Sequence, residues 1–312
     1  MPSLSGSPLV SVVMAVYNGA DFIAESIASV LAQTYAHLEL IIVDDGSNDA
    51  TLSIVEHWLR SDPRVRVLAR PHLGHAQALN AGIAIADGAF IARIDHDDLW
   101  HERKLEIQLP FMQQRDVDVC GSWVRRFGAA RGMIRFAQSH EAIRYETLFT
   151  CPILDSATLF RGDLLRAHPY PPEAIVRQEL TQCVRLLPAF RFANLPRHLC
   201  DYRIHPGQKT QRFGAMILYR QVELGRQHFL TMYPDASADE IAIFERIRTT
   251  TKSPLNRAEL AAAGQFFARY LHPEHKEAKQ RMRRRWRRLC RFGCLRDIVK
   301  ADIRDETLAQ LS

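Results

Sequence analysis

Leu40-Ile41-Ile42-Val43-Asp44-Asp45 and Ala89-Phe90-Ile91-Ala92-Arg93-Ile94-Asp95-His96-Asp97-Asp98 decide how this chain reads. In each, a short hydrophobic run rich in β-branched residues stops at a cluster of carboxylates, so each reads as a buried strand ended by acids. Ligands of an open α/β sheet bind outside the carboxyl ends of its strands, which lets acids from two strand ends converge on one pocket. A pocket lined by acids points to a bound cation.

Working outward, strand-like and helix-like segments alternate from Leu9 to Cys120. Leu9–Tyr17 reads as a strand, Asn18-Gly19 as a turn, and Asp21 as the cap of a helix with Phe22, Ile23, Ile27, Val30 and Leu31 on one face. Ser47 to Asp49 can cap a second helix with Leu52, Val55, Trp58 and Leu59 inward. Val65–Leu68 is a strand, His75–Ala86 a helix stopped at Asp87-Gly88, residues 101–114 a helix, and Val117–Cys120 a strand. Repeated βαβ order predicts a doubly wound, mainly parallel, right-handed sheet.

Beyond Cys120 the pattern loosens into a mixed region punctuated by Pro169, Pro171 and Pro172. From Gln211 onward it is helical, with a Ser237-x-x-Glu240 capping box and an amphipathic Leu255–Leu271 segment. Residues 1–210 are therefore expected to form the catalytic unit and 211–312 a helical extension.

Composition excludes several classes. With 312 residues, 47% apolar and 24% charged, the chain is neither disordered nor fibrous. No run reaches the ~18 apolar residues of a membrane span, and the early hydrophobic stretch has no basic leader, since the first Lys or Arg is Arg60. Six scattered cysteines without a Cys-x-x-Cys pair suggest reduced thiols, hence a cytoplasmic location. Residues 1–59 hold seven acids and no base, so the net +6 divides into −7 there and +13 on the remainder.

Asp95, Asp97 and Asp98 suit a hard divalent cation, Mg²⁺ or Mn²⁺, which binds through one or two carboxylates plus phosphate oxygens. Such an ion neutralises charge on a phosphate leaving group; acids after a strand also cap helices. Gly46 to Asp49 are explained by turn chemistry, but two adjacent carboxylates at a strand end need donors. A carboxylate there can accept the ring N–H of uracil, thymine or guanine. The chain has no Gly-x-Gly-x-x-Gly after a strand and no Walker A sequence.

Five ordered blocks resemble family 2 glycosyltransferases of the GT-A fold. They are Val12–Asn18, Ser29–Tyr35, Glu39–Asp49, Ala78–Ile83 and Asp95–Asp98. Weaker likeness continues through Cys151-Pro152-Ile153, Phe160-Arg161 and Asp201–His205. The resemblance implies that Ala15, Tyr17, Asp44 and Asp45 bind the nucleoside, with Tyr17 near the base and Asp45 on its ring N–H. It implies that Asp97 and Asp98, with Asp95, hold the diphosphate through the metal, and that His205 lies near the diphosphate. The general base of the family is usually an Asp in a Glu-Asp pair opening a helix; here Gln178-Glu179 stand at those positions, so Glu179 is the expected base. A positioned base is worth about 10²–10⁴ in rate. Asp155 and Asp163 are fallback bases. His72, His75, His96 and His101 lack companions for a metal site.

Lys276–Lys300 carries eleven bases against Glu277 and Asp297, with Met282, Trp286 and Leu289 at helical spacing. Such a basic amphipathic helix can lie on an anionic membrane; packing on the enzyme body, a homodimer contact or nucleic-acid binding are the rival uses of the stripe. Nucleic acid is not expected.

The function implied is metal-dependent, inverting transfer of a sugar from a nucleoside diphosphate-sugar, a UDP-sugar foremost, to an acceptor hydroxyl. The acceptor class is a glycan or lipid-linked precursor of a bacterial surface polysaccharide or lipopolysaccharide. Two rivals are a sugar-nucleotide nucleotidyltransferase, disfavoured because the Tyr17–Asp21 loop has no base, and a non-catalytic nucleotide-binding scaffold.

Overall fold

The computed structural model describes residues 7–208, 213–248, 255–271 and 273–292. In chain order come β1 (Val10–Val16), α1 (Ile23–Leu31), β2 (Leu38–Asp44), α2 (Thr51–Ser61), β3 (Val65–Ala69), α3 (His75–Ala84), β4 (Phe90–Arg93), β5 (Leu99–Trp100) and α4 (Lys104–Arg115). There follow β6 (Val119–Gly128), β7 (Gly132–Ile134), α5 (His140–Thr147), β8 (Leu159–Arg161), α6 (Gly162–Ala167), α7 (Gln178–Leu186) and β9 (Phe192–Ile204). Helices α8 (Gly214–Met232), α9 (Ala238–Arg248), α10 (Arg257–Tyr270) and α11 (Lys276–Phe292) complete the described chain.

The strands form one sheet in the order β3-β2-β1-β4-β8-β6-β9-β5, with β7 paired to β6. The first four are parallel, as the βαβ pattern predicts. Beyond β4 the sheet becomes mixed: β8 runs antiparallel to β4 and β6, while β6 and β9 pair in parallel. The parallel half is apolar on both faces because both are covered. Val12 and Met14 pack with Ile23, Ile27 and Val30 of α1 on one side. Val13 and Ala15 pack with Ala78, Leu79 and Ile83 of α3 on the other. Gly82 lets α3 approach closely, since a Cβ there would stand 2.7 Å from Val13 Cγ1.

Several local expectations need correction. Asp21 does not cap α1: Phe22 stands at the N-cap, and the Phe22 and Ile23 N–H groups donate to the Gly19 carbonyl. Leu59 is exposed rather than inward. The strand expected at 117–120 extends to Gly128, because β9 pairs with it past a bulge near Trp123 and carries the exposed Arg125 and Arg126 along. The capping box at Ser237 forms as read, with Glu240 Oε2 accepting from Ser237 N at 2.8 Å. The expected boundary at residue 210 lies outside the described residues.

The basic segment reads differently in three dimensions. Met282, Trp286 and Leu289 of α11 are buried in a core with Phe267 and Leu260 of α10, so their stripe packs on the enzyme body and is not free to face a membrane. The Trp286 ring lies 5.1 Å from that of Phe267. Glu277 docks the helix start on α5 by accepting from the N–H groups of Gln138 and Ser139. Arg284, Arg287 and Arg288 remain exposed, while residues 293–300 lie outside the described chain. No described helix is long and apolar enough to cross a membrane.

Candidate active site

β1, β2 and β4 end side by side, and a cleft of about 270 Å³ opens over their carboxyl ends. Ala15, Tyr17, Asp45, Asp95, Asp97, Glu179 and His205 all line it, so residues up to 190 positions apart in the sequence meet on one rim. Asp44 does not line it. Strand alternation sends the Asp44 carboxylate to the other side, where Oδ2 accepts from Ser47 N at 3.2 Å and Oδ1 is buried without a hydrogen-bond partner. The expected donor contact of Asp44 is therefore absent from the cleft wall.

Asp45 owes its place to a loop that sequence reading passed over. Its two oxygens accept from Leu73 N at 3.0 Å and Gly74 N at 2.9 Å, and His72 Nδ1 lies 2.9 Å from Oδ2. These are the donors that offset the repulsion between adjacent carboxylates. The Tyr17 and His72 rings lie 4.1 Å apart, and Tyr17 remains 42% exposed, leaving a ring face for a flat ligand. Gly46, at φ 78°, admits this loop: a Cβ there would stand 2.9 Å from His72 N. His72 follows a strand end, so the rule that found the acids could have found it too.

In the acidic turn, Asp95, Asp97 and Asp98 each offer an oxygen, all within 4.8 Å of one another; they form the metal-competent group found among the described residues. None of the histidines belongs to it. Asp95 Oδ1 receives Arg93 Nη2 at 3.2 Å, and Asp97 Oδ2 lies 3.0 Å from His205 Nε2. Asp98 sits beneath the cleft, fully buried; Oδ1 accepts from Arg203 N at 2.9 Å and Oδ2 has no hydrogen-bond partner. Burial, with the charges of Asp97 and Asp95, pushes the Asp98 carboxyl well above its ordinary range. Three carboxylates, one of them with an oxygen that makes no hydrogen bond, fit Mg²⁺ or Mn²⁺.

Arg93 is the unforeseen member, a charge inside a strand that read as hydrophobic. It is 1% exposed and paired with Asp155, with Tyr170 Oη at 3.2 Å. Burial opposes its charge, but Asp155, Tyr170 and Asp95 raise its pKa above the usual value. Asp155 also lines the cleft; its two oxygens accept from Arg93 and from the Tyr170 hydroxyl, and burial raises its pKa to about 7. Asp163 pairs with Arg161 and does not line the cleft. Arg203 ties β9 to the turn by donating from Nε to the Asp97 carbonyl at 2.8 Å.

Glu179 stands in the first turn of α7, half-buried in the cleft lining, beside Gln178 and 3.6 Å from Arg177 Nη1. Arg177, at the N-cap, has φ 59° and ψ 39°, a left-handed conformation that costs a non-glycine residue about 1–3 kcal/mol. With a divalent cation on the acidic turn, the arrangement could hold a polyanion at the strand ends with the Glu179 carboxylate in the same cleft.

A mainly parallel sheet with acids at two strand ends and a further carboxylate in the same cleft is the arrangement of a GT-A glycosyltransferase. Residues 11–184 match the glycosyl transferase family 2 model, and the chain belongs to that family. It is 29% identical over 231 residues to TuaG of Bacillus subtilis, a glycosyltransferase named for teichuronic acid biosynthesis, covering 72% of this chain and 91% of TuaG. An uncharacterized glycosyltransferase of Haemophilus influenzae is 29% identical over 232 residues, covering 68% and 70%. Among solved structures, S. aureus TarS residues 1–349 with UDP superposes at TM-score 0.58, 17% identity, covering 91% of this chain and 88% of that one. The mannosyltransferase PcManGT of Pyrobaculum calidifontis, with GDP-Man and Mn²⁺, superposes at 0.56 and 18% identity, covering 94% and 89%. These two show the shared fold.

Proposed function

We propose that this glycosyltransferase takes its sugar from a nucleoside diphosphate donor, UDP-linked foremost, and inverts the anomeric centre in passing it to an acceptor hydroxyl. The observation that carries the proposal is the meeting of Asp45, Asp95, Asp97 and Glu179 in the lining of one cleft. Tyr17 and His72 offer ring faces to the base, and Asp45 offers its remaining lone pairs to a ring N–H. Asp95, Asp97 and Asp98 would hold the divalent cation, which when bound offsets charge on the departing diphosphate. His205, against Asp97, stands where it can hydrogen-bond the diphosphate.

Glu179 takes the acceptor proton as the acceptor oxygen bonds to the anomeric carbon and the carbon–oxygen bond to the diphosphate breaks. The solved neighbours with UDP and with GDP-Man and Mn²⁺ support this reading of donor and metal, and TuaG supports a bacterial surface glycan as acceptor class. The boundary at residue 210, with catalysis before it and helical support after it, belongs to the same proposal.

Calorimetry of UDP with and without Mn²⁺ tests the site. Asp98→Asn keeps the acceptor for Arg203 N and should lose most of the Mn²⁺-dependent affinity; unchanged affinity would overturn the metal assignment. Glu179→Gln should keep UDP affinity and lose turnover of the donor, which also separates an enzyme from a binding scaffold.

A further inference from the structure

The family match ends at residue 184, yet the candidate base is supported from beyond it. Arg177 caps α7 in a left-handed conformation where glycine would sit without strain, and its side chain shows why an arginine can be kept there. Its guanidinium divides: Nη1 lies 3.6 Å from Glu179 Oε1, while Nη2 donates to Gln221 Oε1 on α8 at 2.6 Å. Gln221 is itself fixed, donating from Nε2 to the Phe149 carbonyl at 2.8 Å and accepting from Arg248 of α9 at its own carbonyl. Leu224, one turn further along α8, packs on Leu180 and Val184 of α7.

We propose that Arg177 is a positioning residue: braced by Gln221, it fixes the first turn of α7 and sets the Glu179 carboxylate in the cleft. The C-terminal helices thereby become part of the catalytic apparatus. The inference rests on Glu179 as the base. A planar fork can hold a carboxylate and an amide oxygen at once, which a lysine ammonium on a flexible stem does poorly. The Arg177–Glu179 pair is partly exposed and contributes little to stability, so a purely structural role leaves turnover alone.

The test uses full-length Arg177→Met, Arg177→Lys, Arg177→Gly, Gln221→Leu and Glu179→Gln. Each is assayed for release of UDP from UDP-GlcNAc with Mn²⁺ and water as acceptor, and for amide exchange across residues 178–182. A displaced base loses on the order of 10²-fold in rate. Arg177→Met and Arg177→Gly should therefore lose about 10–100-fold in kcat with donor KM within about twofold, and Arg177→Lys should recover only part. Gln221→Leu should lose several-fold, and exchange at 178–182 should quicken in both Arg177→Met and Gln221→Leu. Arg177→Gly, relieved of strain, should melt no lower than the wild type, so its loss of kcat is not a loss of fold.

Wild-type kcat in Arg177→Met overturns the proposal, as does unchanged exchange in Arg177→Met and Gln221→Leu; exchange needs no donor and decides even where turnover is too slow to read. Wild-type turnover in Glu179→Gln instead sinks the base assignment. Loss in Glu179→Gln with Arg177→Met intact sinks the positioning role alone.

Discussion

Lys104→Met should stabilise the protein, and by an amount that depends on pH in a calculable way. Lys104 opens α4 fully buried, with its ammonium 4.0 Å above the Trp100 ring and no hydrogen-bond partner for Nζ. Burial lowers its pKa from 10.5 to about 7. Between those values the unfolded chain binds the proton and the folded chain does not, so wild-type stability rises with pH across that window. At about 1.4 kcal/mol per factor of ten, the penalty is about 4–5 kcal/mol at pH 6 and about 1 kcal/mol at pH 10. The Trp100 contact returns about 1–2 kcal/mol, and methionine fills a similar volume at a cost below about 1.5 kcal/mol. The variant should therefore gain about 2 kcal/mol at pH 6, a few degrees in Tm, and nothing at pH 10. Denaturant unfolding at pH 6, 8 and 10 reads the difference. A gap that does not shrink as pH rises, or a less stable variant at pH 6, refutes the reasoning.

Gly46→Ala should lose about 1–2 kcal/mol from the positive φ and displace the His72 loop that holds Asp45, lowering UDP affinity about tenfold or more; calorimetry checks both loop and ligand. Glu277→Gln should destabilise by about 1–3 kcal/mol, since the carboxylate accepts from Gln138 N, Ser139 N and Ser139 Oγ. Burial raises the Glu277 pKa, but those donors and Arg281 bring it below its ordinary value. Its contribution is therefore present above the unfolded carboxylate range and lost as pH falls through the lowered value, so wild type and variant should converge in acid unfolding.

The parallel half of the fold and the acids of the site were legible because both follow from local rules: apolar runs of strand length, and carboxylates where those runs stop. Asp45, Asp95 and Asp97 reach the cleft for that reason, while Glu179, in the first turn of a helix, was placed by the family resemblance. What was not legible depends on tertiary partners. β6 runs past Cys120 only because β9 lies beside it, a pairing of residues seventy positions or more apart that no periodicity reports. Asp44 and Asp45 look equivalent in sequence, and only strand alternation separates the one on the cleft from the one behind it. The α11 stripe shows a third limit. Met282, Trp286 and Leu289 announce a buried face, but a helical period cannot say whether lipid or Phe267 covers it.

Charge in the acidic turn ties these observations together. Asp95, Asp97 and Asp98 gather in one turn, and the buried Arg93 guanidinium pairs with Asp95 and with Asp155 but not with Asp98. Arg203, which also lies beside the turn, gives Asp98 only its backbone N–H and sends its guanidinium to Glu25 and the Asp97 carbonyl. Protein groups thus neutralise the Asp155 side of the cluster and leave the Asp98 side short of positive charge. An uncompensated buried carboxylate is costly, and a fold that only needed rigidity there would be served by an asparagine. A divalent cation held by Asp95, Asp97 and Asp98 would supply that charge, which is why Asp98→Asn tests the proposed metal site most directly.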